Sequence, residues 1–357
     1  MLQVGIVGLP NVGKSTLFKT LTKKQVDCQN FPFCTIEPNV GVVEVPDDRL
    51  RQLAAVSKTQ KIIPTAIEFV DIAGLVKGAH KGEGLGNKFL ANIREVDMIV
   101  HVVRSFEDSN VHHVDGSIDP FRDVEIIELE LIMADMETLQ RKIDATKGKM
   151  KSGKTKELEK ELAIYERVFA AFENGKMAQI VEADEEEEVF LRSVHLLTRK
   201  PILYVVNVGE DQAANRAWTS PLGDSRLAIP MSVKVESELM EMALEEQIAF
   251  LQELGFTESG LDRLIQQCYR LLGLMTFFTS GEKETRAWTV KQNIKAPQAA
   301  GVIHTDFEKG FIRAEVIHWK DFVTLGELGA KEAGKLRIEG KDYVMQDGDV
   351  CHFRVNT

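Results

Sequence analysis

The sequence has few cysteines, no excess of positive charge and no long apolar run, and each absence removes a class of protein. The four cysteines include no C-x-x-C pair and no cluster with the spacing of metal ligands, so neither a disulfide framework nor a zinc site is expected. A formal net charge of −11 argues against general affinity for nucleic acid, and sequence-specific DNA binding is not expected.

The apolar runs are also too short for a membrane span, because none approaches about eighteen residues. The N-terminus enters a predicted strand without the charged and apolar regions of a secretory signal. We therefore expect a cytoplasmic protein without membrane contact. Its 357 residues, of which 44% are hydrophobic, are sufficient for two or three domains, and nothing in the sequence demands more than a monomer.

Residues 5–16 join a predicted strand to a predicted helix through a glycine-rich loop. The spacing Gly8-x4-Gly13-Lys14-Ser15 is that of a P-loop in the setting that this motif requires. Backbone N–H groups of such a loop and of the helix N-terminus bind phosphates. Lys14 is expected to reach the β- and γ-phosphates as a catalytic residue, and the Ser15 hydroxyl to ligate Mg²⁺. The pattern predicts a phosphate-rich ligand.

Two later segments carry residues that a P-loop NTPase needs near the γ-phosphate. Thr35 lies in a segment that two prolines keep from being helical, and it is expected to join the magnesium shell only when a γ-phosphate is bound. Asp71 follows an apolar strand pattern and is expected to hold magnesium, with the Gly74 amide contacting the γ-phosphate. Taken alone, Thr35 is explained equally well as an ordinary turn residue.

Leu75 occupies the position at which Ras-like hydrolases carry a glutamine that orients the attacking water. Its side chain neither donates nor accepts a hydrogen bond, so another group must position the water, or turnover is slow. His113, in a polar loop, is the first candidate, and His80, in a glycine-rich loop, is the second. A merely solvated loop histidine is the competing interpretation for both.

Between residues 121 and 189 the apolar spacing becomes helical. Two apolar seams with steps of three and four flank a glycine-bearing turn, which predicts an antiparallel helical hairpin. The predicted tip of this hairpin is basic in an otherwise acidic chain. Its lysines are Lys147, Lys149, Lys151, Lys154 and Lys156. The basic tip indicates either a contact with a phosphate backbone or a solvated turn that keeps the hairpin soluble.

A buried-type strand at 201–206 delivers the sequence Asn-Val-Gly-Glu at 207–210, where P-loop GTPases have Asn-Lys-x-Asp. In those proteins the aspartate accepts hydrogen bonds from guanine N1–H and the 2-amino group. Glu210 is one methylene longer than that aspartate, and Val208 replaces the lysine. The paired hydrogen bonds to guanine are therefore displaced, and adenine can be accepted. A second base-contacting loop is expected at Ser232, after the next strand.

After Leu274 the pattern changes to short strand runs with turn signals at Lys309-Gly310 and Asp347-Gly348, which predicts a mixed β domain of about eighty residues. It carries no catalytic constellation and is expected to bind a partner. The predicted division is an NTPase domain at 1–120 and 190–273, a hairpin at 121–189, and a C-terminal domain at 274–357.

Together these motifs resemble the YchF subfamily of Obg-related P-loop NTPases along essentially the whole chain. The matching runs are GLPNVGKST at 8–16, NFPFCT at 30–35, DIAGLVKGAHKGEGLGN at 71–87, N-x-x-E at 207–210 and KAPQAAGVIHTDFEKGFIRAE at 295–315. The resemblance implies an α/β fold in which a Ras-like P-loop NTPase domain has a mixed, mostly parallel sheet. It also implies a coiled-coil hairpin insertion, a C-terminal TGS domain of the β-grasp kind, a preference for ATP over GTP, and association with ribosomes or the large subunit.

The resemblance assigns roles to individual positions. It implies that the phosphates are held by Asn11, Val12, Gly13, Lys14, Ser15 and Thr16, magnesium by Ser15 and Thr35, and the base by Asn207, Val208 and Glu210. Similar P-loops with an asparagine at the position of Asn11 use it to ligate K⁺, so potassium activation is a hypothesis for this chain.

The expected function is a slow, magnesium-dependent ATPase that acts as a conformational switch. Hydrolysis is expected to release Thr35 and the Gly74 loop and to change how the hairpin tip and the TGS domain meet the ribosome. Two alternatives stay open. One is a nucleotide-gated binding module with incidental hydrolysis, and the other is a guanine-specific Obg-like GTPase.

Overall fold

The structure is a computed structural model that describes residues 2–24, 39–72, 85–108, 117–215, 217–256 and 258–356. The described residues form two compact units. The first unit takes its residues from 1–23, 36–41 and 68–260, and the second unit takes its residues from 24–35, 42–67 and 261–357. Among the described residues, none of the helices combines the length and the apolar composition needed to span a membrane.

Strands and helices alternate along residues 3–104, except that the strands at 61–63 and 66–71 follow one another. The strands are β1 (Gln3–Val7), β2 (Val40–Glu44), β3 (Lys61–Ile63), β4 (Ala66–Asp71), β5 (Met98–Arg104), β6 (Ile202–Asn207), β7 (Ala228–Met231), β8 (Leu274–Ser280), β9 (Glu284–Lys291), β10 (Phe311–His318), β11 (Arg337–Glu339) and β12 (Asp349–Val355). The helices are α1 (Lys14–Thr22), α2 (Asp48–Ser57), α3 (Leu85–Glu95), α4 (Pro120–Ser152), α5 (Lys156–Glu173), α6 (Glu185–Val194), α7 (Glu210–Ala213), α8 (Val233–Leu239), α9 (Leu244–Glu253), α10 (Gly260–Leu271), α11 (Ala296–Ile303), α12 (Thr305–Lys309) and α13 (Trp319–Glu332).

The first sheet has the strand order β2-β4-β1-β5-β6-β7. The pairings of β1 with β4 and β5, of β5 with β6, and of β6 with β7 are all parallel. Every residue of β5 and β6 is buried, as expected for central strands covered on both faces. In such a sheet ligands bind at the carboxyl ends of the strands. Asp71, Arg104 and Asn207 lie at that edge, where β1 also runs into the P-loop.

The predicted helical hairpin is present. Helix α4 runs for 33 residues after the cap Asp119, whose side chain accepts from the N–H of Arg122, and α5 begins after the cap Thr155. The two helices share an apolar core that includes Leu139, Ile143, Ile164 and Phe172. All residues from Lys151 to Glu157, around the turn, are exposed, so the charged tip is in water.

The second unit is built on a sheet with the strand order β11-β10-β12-β8-β9-β3. Strand β10 is antiparallel to β11 and β12, β8 is antiparallel to β9, and β12 is parallel to β8, so the sheet is mixed as predicted. Strand β3 extends it by pairing in parallel with β9. Leu50 and Leu53 of α2 pack in the same core as Phe278, so residues 42–67 belong to this unit.

Candidate functional site

The loop between β1 and α1 has a backbone that only glycine permits at two positions. Gly8 has φ +153° and Gly13 has φ +102°, both in the region that side chains avoid. A Cβ on Gly8 would lie 2.4 Å from the Val102 carbonyl oxygen, and one on Gly13 would lie 2.5 Å from Asn207 Nδ2. Gly13 is the N-cap of α1 and has no side chain to occupy the N–H groups of the first turn. This is the geometry of a phosphate-binding helix N-terminus.

Lys14 begins α1 and is buried, with 8% of its surface exposed. Its Nζ donates to the Leu9 carbonyl oxygen at 2.6 Å, so the side chain folds back over the P-loop. Burial lowers the pKa of Lys14 to about 8, and the nearby charge of Asp71 opposes part of that shift. The lysine is therefore placed where a phosphate oxygen would replace the carbonyl as its partner.

Asp71 ends β4 beside the P-loop strand, because its register partner in β1 is Ile6. The carboxyl is half-buried, and burial raises its pKa while the charge of Lys14 lowers it. Ser15 is exposed at the start of α1. A carboxylate and a hydroxyl are hard oxygen ligands of the kind Mg²⁺ prefers, so the donor set at Asp71 and Ser15 fits this ion.

Asn207 connects two loops through its side chain. Its Nδ2 donates to the Val12 carbonyl oxygen at 3.0 Å, and its Oδ1 accepts from the Val233 N–H at 3.1 Å. The residue is 5% exposed. Both polar atoms of the Asn207 side chain, which was predicted to contact the base, are therefore hydrogen-bonded to the backbone. Through them Asn207 holds the P-loop against the start of α8.

An open cleft of about 570 Å³ adjoins the P-loop within the first unit. Of the predicted residues, its lining includes Gly13, Thr16, Asn207, Val208, Glu210 and Ser232. The same cleft is lined by residues that the sequence analysis did not single out, namely Phe106, Glu107, Asp108, Gly209, Val233, Lys234, Val235, Ser237 and Glu238. The structure thus brings the predicted base-binding positions into one cavity with Gly13 and Thr16 of the P-loop.

Val208, Glu210 and Ser232, three of the predicted residues in the cleft, differ in their exposure to solvent. Val208 is buried and its N–H donates to the Met231 carbonyl oxygen at 3.0 Å, which fixes the backbone. Glu210 is exposed as the first residue of α7. Ser232 is 5% exposed and occupies the N-cap position of α8. Of the three, Glu210 has the side chain that is free to move toward a ligand.

One signal in the sequence could have found Phe106, Glu107 and Asp108. They lie just beyond the end of β5, which is Arg104, and the Asn-Val-Gly-Glu run begins at the last residue of the neighbouring strand β6. The carboxyl ends of adjacent parallel strands meet at one edge of a sheet, so residues just after β5 were candidates for the same cleft. The predicted residues Thr35, Gly74, Leu75, His80 and His113 lie outside the described residues.

A buried polar cluster joins α4 to strands β5 and β6. Tyr204 Oη donates to Glu128 Oε1 at 2.6 Å, and Arg226 binds both oxygens of Glu128 at 2.8 and 2.7 Å. Burial would raise the pKa of Glu128, but hydrogen bonds from Arg226 and Tyr204 outweigh it and hold that pKa below its usual value. His101 packs beside Tyr204 with ring centroids 5.5 Å apart, and burial lowers its pKa to about 4. The cluster ties the hairpin to the central strands.

Comparisons with known proteins decide the family. The YchF-GTPase_C family model, described as "Protein of unknown function (DUF933)", matches residues 274–356, and the model described as "50S ribosome-binding GTPase" matches residues 3–134. The "Ribosome-binding ATPase YchF" of Bacillus subtilis (strain 168) is 54% identical over 364 residues, covering 99% of both chains. The chain belongs to the YchF family.

Other YchF proteins agree along the whole length. The "Ribosome-binding ATPase YchF" of Escherichia coli O157:H7 is 52% identical over 358 residues, covering 99% of this chain and 98% of the relative. The solved Schizosaccharomyces pombe YchF GTPase has 39% sequence identity and a TM-score of 0.88, covering 99% of this chain and 97% of that chain. This YchF family member therefore has a P-loop GTPase domain, the fold of a nucleotide hydrolase, followed by a C-terminal YchF domain, which confirms the predicted family and mixed α/β class.

Proposed function

We propose that this chain is a magnesium-dependent ATPase that binds ribosomes and uses its bound nucleotide as a conformational switch. One observation carries the proposal. Gly13 and Thr16 line a cleft together with the predicted base-binding residues Asn207, Val208, Glu210 and Ser232, and the buried Lys14 directly follows Gly13 in the P-loop. A nucleoside triphosphate would therefore have its phosphates and its base bound at adjoining parts of one surface. The names of the Bacillus subtilis and Escherichia coli relatives support the ATPase and ribosome assignments.

The residues of the P-loop would stabilise charge that develops on the γ-phosphoryl group. Lys14 and the N–H groups at the start of α1 are preorganised donors, and such donors lower the barrier because they need no rearrangement during the reaction. Ser15 and Asp71 would hold Mg²⁺, with Thr35 as the third, state-dependent ligand. When bound, Mg²⁺ supplies charge neutralisation at the phosphate oxygens. His113 is proposed to position the attacking water and Gly74 to contact the γ-phosphate.

The preference for ATP over GTP rests on Val208 and Glu210. A glutamate at the cleft margin is displaced from the bidentate position that guanine requires, and a buried valine gives an apolar surface where a lysine stem would lie. Competition of ATP and GTP for one site, followed with a fluorescent nucleotide in Mg²⁺, tests this. Tighter binding of ATP supports the proposal, and tighter binding of GTP refutes it.

A guanine-specific GTPase is the second candidate function, because the Schizosaccharomyces pombe relative is called a GTPase and the matching family model is described as one. A binding module with incidental hydrolysis is the third, and the leucine at position 75 favours it. Turnover measured with and without ribosomes separates a switch enzyme from a binding module. Strong stimulation supports a switch enzyme, whereas no stimulation supports the binding module.

The hairpin tip and the C-terminal domain are the proposed ribosome contacts, and the latter is proposed to be a TGS domain of the β-grasp kind. The tip lysines are exposed, although Lys147 forms an ion pair with Glu166 at 2.8 Å. Exchange of Lys149, Lys151 and Lys154 for Gln should weaken ribosome association and reduce its salt dependence, because each phosphate contact releases counterions. Unchanged association and salt slope would exclude the tip.

We also propose that the protein acts as a monomer in the cytoplasm and that K⁺ binds beside the phosphates through Asn11. Asn11 has a left-handed backbone with φ +62° and an exposed position at the turn of the P-loop. Equal turnover in sodium and potassium buffers would refute the potassium site. An Asn11→Ala variant should lose any potassium stimulation and keep its magnesium requirement.

A further inference from the structure

Arg104 is the last residue of β5, and its burial is unusual for a cation. The residue is 2% exposed and has the largest side chain among the fully buried residues of the described chain. Its Nη1 is buried without a hydrogen-bond partner among those residues. A buried donor left unpaired costs free energy, so this position tolerates a penalty that an apolar side chain of similar length would avoid.

Within the described part of the chain, the hydrogen bonds of the Arg104 side chain go to one short loop. Its Nε donates to the Phe106 carbonyl oxygen at 3.2 Å, and its Nη2 donates to the Asp108 carbonyl oxygen at 3.4 Å. The guanidinium carbon lies 4.5 Å from the centroid of the Phe106 ring, which is the geometry of a cation–π contact. One side chain therefore holds the backbone of residues 106–108 and the ring of Phe106.

The loop held by Arg104 is one wall of the cleft beside the P-loop. Phe106, Glu107 and Asp108 line that cleft, and the next residue in from the wall, Ser105, donates its N–H to the Asn207 carbonyl oxygen at 2.8 Å. Arg104 is also the register partner of Asn207. Two neighbouring strands thus each end in a buried residue whose side chain holds a loop beside the cleft. Arg104 holds residues 106–108, and Asn207 holds the P-loop.

We propose that Arg104 is a positioning residue that preforms the wall of the cleft at residues 106–108 and thereby sets affinity for the base and sugar of the nucleotide. This inference rests on the proposed function. It assigns Arg104 no contact with the phosphates. Because the wall is preformed, nucleotide binding does not have to order this loop. Arg104 should therefore increase the affinity for nucleotide and leave the rate of the chemical step unchanged.

The test compares Arg104→Met with Arg104→Lys in the full-length protein. Methionine fills similar volume and removes an incompletely paired buried cation, so the unfolding temperature without nucleotide should change little. KM and Kd for ATP should each rise about tenfold in Arg104→Met, with kcat at saturating ATP within about twofold, because the lost interaction is uniform binding. Lysine keeps a positive charge near Phe106 but lacks the several N–H groups of the guanidinium. The KM and Kd of Arg104→Lys for ATP should therefore lie between those of the wild type and Arg104→Met.

Arg199 offers a matched control. It also donates to two backbone carbonyl oxygens, of Ala178 and Val181 at 2.8 and 2.7 Å, and it forms an ion pair with Glu188. It does not line the cleft. Arg199→Met should therefore lower the unfolding temperature without changing KM for ATP. If Arg104→Met behaves like Arg199→Met, Arg104 has only a structural role and the proposal is wrong.

A double-mutant cycle with Phe106→Leu tests whether Arg104 acts through the loop. If it does, the two substitutions together should weaken ATP binding by less than the product of their separate effects. Independent effects would overturn the inference. If the Met variant does not fold, the same cycle with Arg104→Lys decides. Wild-type protein that binds no ATP would overturn the proposed function itself, whereas normal wild-type binding with an unchanged Arg104→Met affinity overturns only the role of Arg104.

Discussion

The side-chain amide of Asn207 and the carbonyl of Val12 form a 3.0 Å hydrogen bond between residues that are 195 positions apart in sequence. The bond joins the end of β6 to the P-loop, directly beside Gly13, where a Cβ would collide with the same amide. The P-loop conformation is therefore stabilised from the side of the cleft that carries the predicted base-binding residues, and a substitution of Asn207 should weaken phosphate binding.

Asn207→Ala should weaken ATP binding because it leaves the Val12 carbonyl and the Val233 N–H without their partner. Removal of one partner from a buried hydrogen bond costs about 1–3 kcal/mol, so we expect Kd to rise roughly tenfold to a hundredfold. Titration calorimetry with ATP and Mg²⁺ measures the change. Asn174→Ala is the control, since that exposed amide donates only to the Ala170 carbonyl in the hairpin. Equal affinity in wild type and Asn207→Ala would show that the P-loop does not depend on this bond.

The lowered pKa of Lys14 predicts opposite pH effects on binding and stability. Above a pKa of about 8 the ligand-free lysine is neutral and attracts phosphate less, so ATP affinity should fall as the pH rises from 7 to 9. Between about 8 and 10.5 the unfolded chain binds the proton that the folded chain has lost, so stability contributed by this residue rises with pH.

Lys14→Met provides the check on both effects. This substitution should abolish ATP binding. The variant should also lack the increase in unfolding free energy that Lys14 gives the wild type between about pH 8 and 10.5. Denaturant unfolding across this range and nucleotide titration at each pH measure the two trends. Retained ATP turnover in Lys14→Met would show that this lysine is not in the active site.

His101 should make the first unit sensitive to acid. Burial holds its pKa at about 4, below the ordinary 6.5, so between these values the unfolded chain binds the proton and the folded chain does not. Stability from this residue is therefore present above pH 6.5 and is lost progressively toward pH 4, by at most about 3 kcal/mol. Glu128 loses its stabilising contribution in the same direction, because its pKa is lowered.

His101→Phe should reduce the loss of unfolding free energy between pH 7 and pH 4.5, measured by urea denaturation. The charged and titratable neighbours Glu128, Lys14, Arg226 and Tyr204 remain, so some pH dependence should persist. The exposed His352→Phe is the control and should behave as the wild type. An acid profile that is identical in His101→Phe and the wild type would contradict this assignment.

Gly348 is the glycine on which the second unit depends most clearly. Its φ is +90°, and a Cβ would lie 2.4 Å from Trp319 Cδ1. Gly348→Ala combines a strained backbone with a steric clash and should lower the free energy of unfolding by about 2–4 kcal/mol. Gly340→Ala, where a Cβ has no neighbour within 4 Å, should change it by less than about 1 kcal/mol. Similar unfolding midpoints for the two variants would show that the turn relaxes freely.

Glu210→Asp should shift nucleotide preference toward GTP. The shorter carboxylate returns to the length found in guanine-binding loops, and we expect the ratio of GTP to ATP affinity to rise about tenfold. Competition binding with both nucleotides measures that ratio. Glu253→Asp, on the exposed end of α9, makes the same chemical change away from the cleft and should leave the ratio unchanged. An unaltered ratio in Glu210→Asp would remove this residue from base selection.

Much of the site was predictable because its signals are local. The P-loop spacing, the strand before it and the helix after it lie within about twenty residues, and the backbone conformations at Gly8 and Gly13 follow from glycine itself. The hairpin was predictable for a similar reason, since helical spacing of apolar residues specifies which face of α4 meets α5.

Other features could not be predicted, because they depend on contacts between distant residues. Strand β3 has three residues, too few for a periodic pattern, and its place beside β9 in the second sheet is set by pairing across more than two hundred residues. Arg104 and His101 lie in an apolar strand pattern that gives no sign of the contact between Arg104 and its loop or of the lowered pKa of His101.

The sequence by itself determined the phosphate-binding loop, the helical hairpin and the Asn-Val-Gly-Glu run at the end of β6, because these depend on spacing and backbone preference over short distances. The tertiary structure decided which of those residues share a cleft, that Asn207 braces the P-loop, and that residues 42–67 fold with the C-terminal sheet. The physical reason is that hydrogen bonding and burial of a side chain are properties of its neighbours in space, which strand order and register select.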